Sequence, residues 1–135
     1  MKEKILGTQP LNVDVASLLL RLIFGCMFVY HGSPKLFAFE QITAVFPDLI
    51  GIGVKTSLAL VVFAEFFCGI FVAIGLLTRL TVIPISITMA VAFFLAHAND
   101  PFQVKILPLV YLLLSSVIFS LGSGRYSVDR FLFKK

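Results

Sequence analysis

The chain has 135 residues, of which 59% are hydrophobic and only 13% charged, with a mean hydropathy of +1.05. Soluble globular domains carry about 25% charged residues, so this composition excludes a soluble domain, and its apolar content excludes a disordered chain. The formal net charge of +4 is scattered between apolar runs instead of gathering on one face, which argues against a nucleic-acid partner and makes the charge a statement about membrane topology.

A spanning helix takes roughly 20 apolar residues. The composition therefore predicts an all-α integral membrane protein with the lipid bilayer as its main partner. Residues 1–135 are expected to form a single membrane domain, a bundle of four transmembrane helices with no length left for a soluble one. The first apolar run covers residues 15–30. Lys2 and Lys4 before it resemble the start of a signal peptide, but Arg21 interrupts the run and His31-Gly32-Ser33-Pro34 is no small-residue cleavage site, so the segment is expected to stay in the mature protein. Arg21, Gly25, Phe28, Gly32 and Lys35 recur at spacings of four and three and so share one helix face. The two glycines on that face let a neighbouring backbone come close.

The connection over residues 33–56 is not a plain polar loop. Phe37, Phe39, Ile42, Val45 and Phe46, lying between Pro34 and Pro47, have the spacing of a short amphipathic helix in the membrane interface, expected to roof the outer mouth of the bundle. Gly51-Ile52-Gly53 then supplies a turn. The second run covers residues 57–77, with Glu65, Gly69 and Val72 on one face, the third residues 81–96 and the fourth residues 106–121. An even number of spans puts both termini on one side. Lys2, Lys4, Arg79, Arg125, Arg130, Lys134 and Lys135 lie on that side against Lys35, Lys55 and Lys105 on the other, which predicts cytoplasmic N- and C-termini in a multi-pass protein of the cytoplasmic (inner) cell membrane.

An ionisable side chain at bilayer depth costs at least about 2.5–3.5 kcal/mol and normally faces the bundle interior with a partner. Arg21 and Glu65 meet this description. At 1.5 Å per residue Arg21 stands about 9 Å and Glu65 about 18 Å above the inner edge, a gap an extended arginine spans, so they are expected to form a buried ion pair. The pair either fixes helix packing or makes Glu65 a proton carrier or ligand contact. His31 and His97 end the first and third spans near the outer surface, together with Lys35, Asn99, Asp100 and Lys105, as a polar outer cluster or as plain interfacial anchors. A haem on the two imidazoles is disfavoured because so small a rim site would leave it half exposed. Cys26 and Cys68 have no metal-site or C-x-x-C spacing, and no metal is expected. Arg21, His31, Lys35, Glu65 and His97 are thus the candidate ligand and proton-site residues, without a recognisable catalytic constellation.

The segments Leu20-Arg21-Leu22-Ile23-Phe24-Gly25, His31-Gly32, Lys35-Leu36-Phe37, Ala64-Glu65-Phe66-Phe67-Cys68-Gly69, Gly75-Leu76-Leu77-Thr78-Arg79 and Gly122-Ser123-Gly124-Arg125-Tyr126-Ser127-Val128-Asp129 together resemble the DoxX family of small bacterial and archaeal membrane proteins. The resemblance implies a four-helix bundle in the cytoplasmic membrane. It also implies a link to a terminal quinol oxidase and to thiosulfate:quinone oxidoreductase. The chain departs from the pattern early in the fourth span, where similar proteins often carry a glutamate and this one reads Val104-Lys105-Ile106-Leu107-Pro108-Leu109. That departure weakens a proton relay carried over from the family, and Pro108 predicts a distorted helix start.

Two functional readings follow. One is a membrane subunit of a quinone- or sulfur-linked redox assembly, an oxidoreductase subunit with no intrinsic cofactor. Its fifteen phenylalanines would build the slot for a quinone, and a redox partner would carry flavin, haem or a thiol. The other is a non-enzymatic small-ligand transporter or a scaffold for a membrane complex, with a homo-oligomer as a further partner. On either reading, Glu65 and His97 are expected around one cavity that opens outward beneath the segment from Phe37 to Phe46.

Overall fold

A computed structural model describes residues 5–134. Four helices are long and apolar enough to cross a membrane: α1 (Val13–Phe37), α3 (Val54–Ile74), α4 (Thr78–Ala96) and α5 (Phe102–Leu121). Two short helices accompany them, α2 (Phe39–Thr43) between the first two spans and α6 (Val128–Phe133) after the last. Each span packs on its neighbours in chain order, and α1 closes the ring against α5. The described residues contain no strand.

Connection lengths and turn chemistry set this antiparallel order. α1 starts where the Asn12 side chain accepts the Val15 N–H at 3.1 Å, the usual N-cap role of asparagine. It does not stop at Tyr30. The expected exit at His31-Gly32-Ser33-Pro34 lies inside α1, because Pro34 denies the Tyr30 carbonyl only one helical donor and the Ser33 hydroxyl donates to that carbonyl instead. The helix thereby gains two turns and carries His31, Gly32 and Lys35 on rigid backbone.

The bundle has two distinguishable ends. At the terminal end the start of α1, the α3–α4 turn and the segment after α5 meet; at the far end lie α2, the turn before α3 and the α4–α5 connection. Both described ends of the chain are therefore on the same side, while Lys2, Lys4 and Lys135 lie outside the described residues. Phe24, Phe28, Cys68, Val72, Val82, Ile85, Met89, Tyr111 and Ile118 form the core between the two ends. Leucines, isoleucines and phenylalanines are exposed all round the outside, as a surface facing lipid requires. Ser86 donates to Ser115 at 2.7 Å, tying α4 to α5.

The glycine face read from the sequence is the seam between α1 and α3. A Cβ on Gly25 would stand 2.5 Å from the Gly69 carbonyl oxygen, and one on Gly32 would stand 2.7 Å from the Phe66 nitrogen. Both neighbours are backbone, so nothing flexible can yield. The fourth span starts at Phe102, after Pro101 as its N-cap, so Pro108 lies buried inside the helix and not at the distorted start that was expected there.

Two features were not foreseen. Phe63–Phe67 in α3 and Ala92–Ala96 in α4 are π-helical turns, in which the Cys68 N–H reaches the Phe63 carbonyl and the His97 N–H reaches that of Ala92. Such turns insert one extra residue into a helix and gather at functional sites.

Candidate functional site

The buried cations and the carboxylate pair differently from the expected Arg21–Glu65 ion pair. Glu65 accepts from Lys35, Nζ to Oε2 2.5 Å, and the pair is mostly shielded, with the carboxylate side chain 7% and the lysine 27% exposed. Lys35 also donates to the His31 carbonyl at 3.2 Å, one turn back on its own helix. A lysine near a membrane helix end usually sends its ammonium toward water. Here Cα–Cβ bonds that tilt toward the helix N-terminus lead it the other way, into the bundle. Gly32 makes the encounter possible, because a Cβ there would stand 3.0 Å from that of Glu65. The π turn around Glu65 sets the phase at which the carboxylate faces α1.

Arg21 is engaged elsewhere, at the terminal end. Its guanidinium, 1% exposed, donates to the carbonyls of Tyr126 (2.5 Å), Ala73 (3.2 Å) and Val72 (3.4 Å). It fastens the segment after α5 underneath the bundle. Gly122 and Gly124, both with positive φ, turn that segment back. Asp14 accepts the Arg125 N–H at 3.0 Å, and Ser127 caps α6. The Asp129 carboxylate accepts the N–H groups of Leu77 (2.7 Å) and Thr78 (3.3 Å), capping α4 from 51 residues away in sequence, where Leu77 itself offers no capping oxygen. The run Gly122 to Asp129 is thus a structural clasp, and Arg21 belongs to it. Its motif was visible in the sequence, but that Asp129 would cap α4 was not.

At the far end a cavity of about 320 Å³ lies between α3, α4 and the turn before α3. Lys35, Glu65 and His97 reach it, and most of the remaining wall is hydrocarbon from residues such as Leu60, Val61, Ile87 and Met89. His97 ends the π turn of α4, and its Nδ1 meets Asp100 Oδ2 at 2.7 Å. Both π turns therefore border the same cavity. His31 does not line it; its ring stands edge-on to Tyr111 at 6.1 Å, and its carbonyl holds Lys35. Lys105 donates to the Ala98 carbonyl at 2.7 Å, and Asn99 is exposed. The polar outer cluster is accordingly divided: Lys35 with Glu65, His97 with Asp100, and Lys105 on backbone.

The roof also differs in detail. Phe37 is exposed, and the cavity is covered by Phe46, Pro47, Leu49 and Ile50. Asp48 shapes this turn by accepting the N–H groups of Gly51, Ile52 and Gly53 and the Ser57 hydroxyl. Those donors, the Gly53 N–H foremost, hold its carboxyl below the ordinary aspartate range. Cys26 lies on the outer surface of α1 and Cys68 in the core, both as free thiols.

Comparison with known proteins gives a consistent picture. A family model described as DoxX matches residues 16–98. A Bacillus subtilis protein named "Putative oxidoreductase CatD" is 31% identical over 125 residues, covering 91% of each chain. The membrane protein Rv3486 of Mycobacterium tuberculosis is 31% identical over 137 residues, covering 86% of this chain and 80% of its own. No solved structure matches significantly.

Proposed function

The chain belongs to the DoxX family of membrane proteins, and from that premise we propose that it is a membrane subunit of a redox assembly whose far-end cavity takes a quinone. The observation that carries this reading is the inward-turned Lys35, paired with Glu65 at the edge of a largely apolar cavity. An ammonium has three donors. Glu65 and the His31 carbonyl take two, and the third is left for a ligand oxygen. With its Nδ1–H donated to Asp100, the neutral His97 ring keeps the Nε2 lone pair to accept from a quinol hydroxyl.

These residues suit an uncharged ring with oxygen substituents. A sulfur oxyanion fits them less well, since it would meet the Glu65 carboxylate and a hydrocarbon wall that cannot solvate its charge. A bound quinone supplies two-electron, two-proton chemistry at its ring. Lys35 and His97 would orient its oxygens, Glu65 would balance the lysine charge, and the roof would keep water out. Electrons come, in this reading, from a partner carrying flavin, haem or a reactive thiol. The far end faces outward and the termini lie in the cytoplasm, with the chain in the cytoplasmic membrane. The relative named for oxidoreductase activity supports the redox assignment.

The test is purification in mild detergent, followed by optical spectroscopy and mass spectrometry of what accompanies the protein. A quinone and a redox partner are expected, and Lys35→Met and His97→Ala should each lose the quinone while remaining inserted and folded. A colourless, ligand-free homo-oligomer would favour a transporter or scaffold instead.

A further inference from the structure

The two helices that wall the cavity part company toward the far end. α3 meets α4 chiefly through Phe63–Ile74, whereas its far segment Val54–Val62 packs on α1 and α2. α4, for its part, leans on α5 through Ala92–Ala96. The result is a V between α3 and α4, and the cavity fills it. Leu60 on one arm and Ile87 on the other both line the cavity, and both are exposed on the outside of the bundle, at 51% and 59%. At 1.5 Å per residue they stand about 9 Å and 14 Å below the far ends of their helices, within a hydrocarbon core about 30 Å thick.

From this geometry we infer that the cavity is entered sideways from the lipid, through the gap between Leu60 and Ile87, and that its ligand is a membrane-dissolved amphiphile whose hydrocarbon tail remains in that gap while its polar head meets Lys35 and His97. This inference rests on the quinone reading and narrows it to tailed, lipid-soluble quinones. The chemistry of the opening supports it. Glu65 lies deepest, Lys35 is mostly shielded and His97 stands half-buried at the far end, whereas both lips of the gap are aliphatic and the far face is overhung by the turn that Asp48 locks with four hydrogen bonds. A ligand arriving from water would have to pass between that locked turn and the His97–Asp100 pair; one arriving from lipid meets aliphatic side chains that already face lipid.

The chain contains no tryptophan, so a single indole can report from a chosen place. Ile87→Trp puts one at the gap, Leu60→Trp puts one on the opposite lip in case the first fails to fold, and Phe94→Trp serves as a control on an exposed part of α4 outside the cavity. In lipid nanodiscs, a decyl-tailed benzoquinone dosed by mole fraction in the lipid should quench the gap indoles saturably and the control only linearly. A sulfonated, tail-less benzoquinone, which stays in water, should neither quench saturably nor displace the tailed one. Saturable quenching or displacement by the sulfonated compound would move the entrance to the aqueous face, overturning lateral entry while leaving quinone binding intact. Linear quenching at all three positions by both compounds would remove the quinone from the cavity and both readings with it.

Discussion

At the terminal end the guanidinium of Arg21 is sealed in and its donors go to the carbonyls of Val72, Ala73 and Tyr126, whereas at the far end the ammonium of Lys35 borders open space and shares a carboxylate with it. Both residues sit on one face of α1, fourteen positions apart. The difference teaches that a basic side chain at membrane depth does not announce its role by depth. A guanidinium with a planar fan of donors suits several fixed carbonyls. A compact ammonium beside one carboxylate keeps a donor to spare. The terminal end is fastened shut, and the far end encloses a cavity.

The largest effect should come from removing the clasp. Arg21→Met leaves three carbonyls without their charged donor, and hydrogen bonds to charged groups contribute about 1.5–3 kcal/mol each in general. Thermal unfolding in detergent should show a loss of about 3 kcal/mol or more, and limited proteolysis should cut the segment after α5 first. Quinone binding at 10 °C, where the protein is still folded, should survive; its loss would erase the contrast between the ends.

Gly32→Ala should cost about 1–3 kcal/mol, as overpacking does, because its new methyl meets the α3 backbone. It should also weaken ligand binding by pushing Lys35 away from Glu65, a double effect that Gly25→Ala, nearer the terminal end, should not share. Equal ligand affinities in the two variants would mean that the glycine seam serves the bundle alone.

Pairwise coupling sharpens the comparison further. Lys35→Met and Glu65→Gln touch the same ion pair and should depart from additivity by about 0.5–3 kcal/mol, while Arg21→Met and Glu65→Gln should add to within about 0.5 kcal/mol. A double-mutant cycle in thermal unfolding reads both values. Asp129→Ala should cost about 1 kcal/mol, the usual value of a lost N-cap, and should loosen hydrogen exchange at the first turn of α4 without altering the cavity.

The smallest effect is a pH dependence confined to the roof. The folded Asp48 carboxyl titrates below its unfolded value, so the stability it contributes is complete above the ordinary aspartate pKa near 3.9 and is lost as pH falls through the lower, folded value. An acid titration of the melting temperature should show a slight fall below about pH 4 that Asp48→Ala abolishes.

Much of the bundle was legible because it follows from periodic hydrophobicity and small residues. Four spans, a short helix between the first two and the seam of Gly25, Gly32 and Gly69 were all readable at that level. The partner of Glu65 was misread because depth was counted as if the helix were uniform and side chains were rods. The length of α1 past Pro34 and the backward reach of Lys35 both defeat that count. The apolar spacing between Pro34 and Pro47 put the roof on Phe37 to Phe46, when a single aspartate gathering nearby N–H groups moves the cover to Phe46–Ile50. Long-range caps such as Asp129 on α4 are hard to read, since Leu77 shows only that a local cap is missing and nothing in the sequence says that a carboxylate 51 residues away supplies it.

The π turn at Phe63–Phe67 has a consequence for comparing this chain with its relatives. Each residue of an α-helix advances the chain by about 100°, and a π turn takes up one extra residue in a single wider turn, so Val54–Val62 and Cys68–Ile74 keep nearly the faces they would have in an uninterrupted helix. A homologue one residue shorter here would keep both flanks in place and shift only the residues inside the turn. A gap of a single position in an alignment at this turn would therefore change which residue is presented to α1. Identity of letters at Glu65 is a poor guide to sameness of site unless the count of residues through the turn agrees as well.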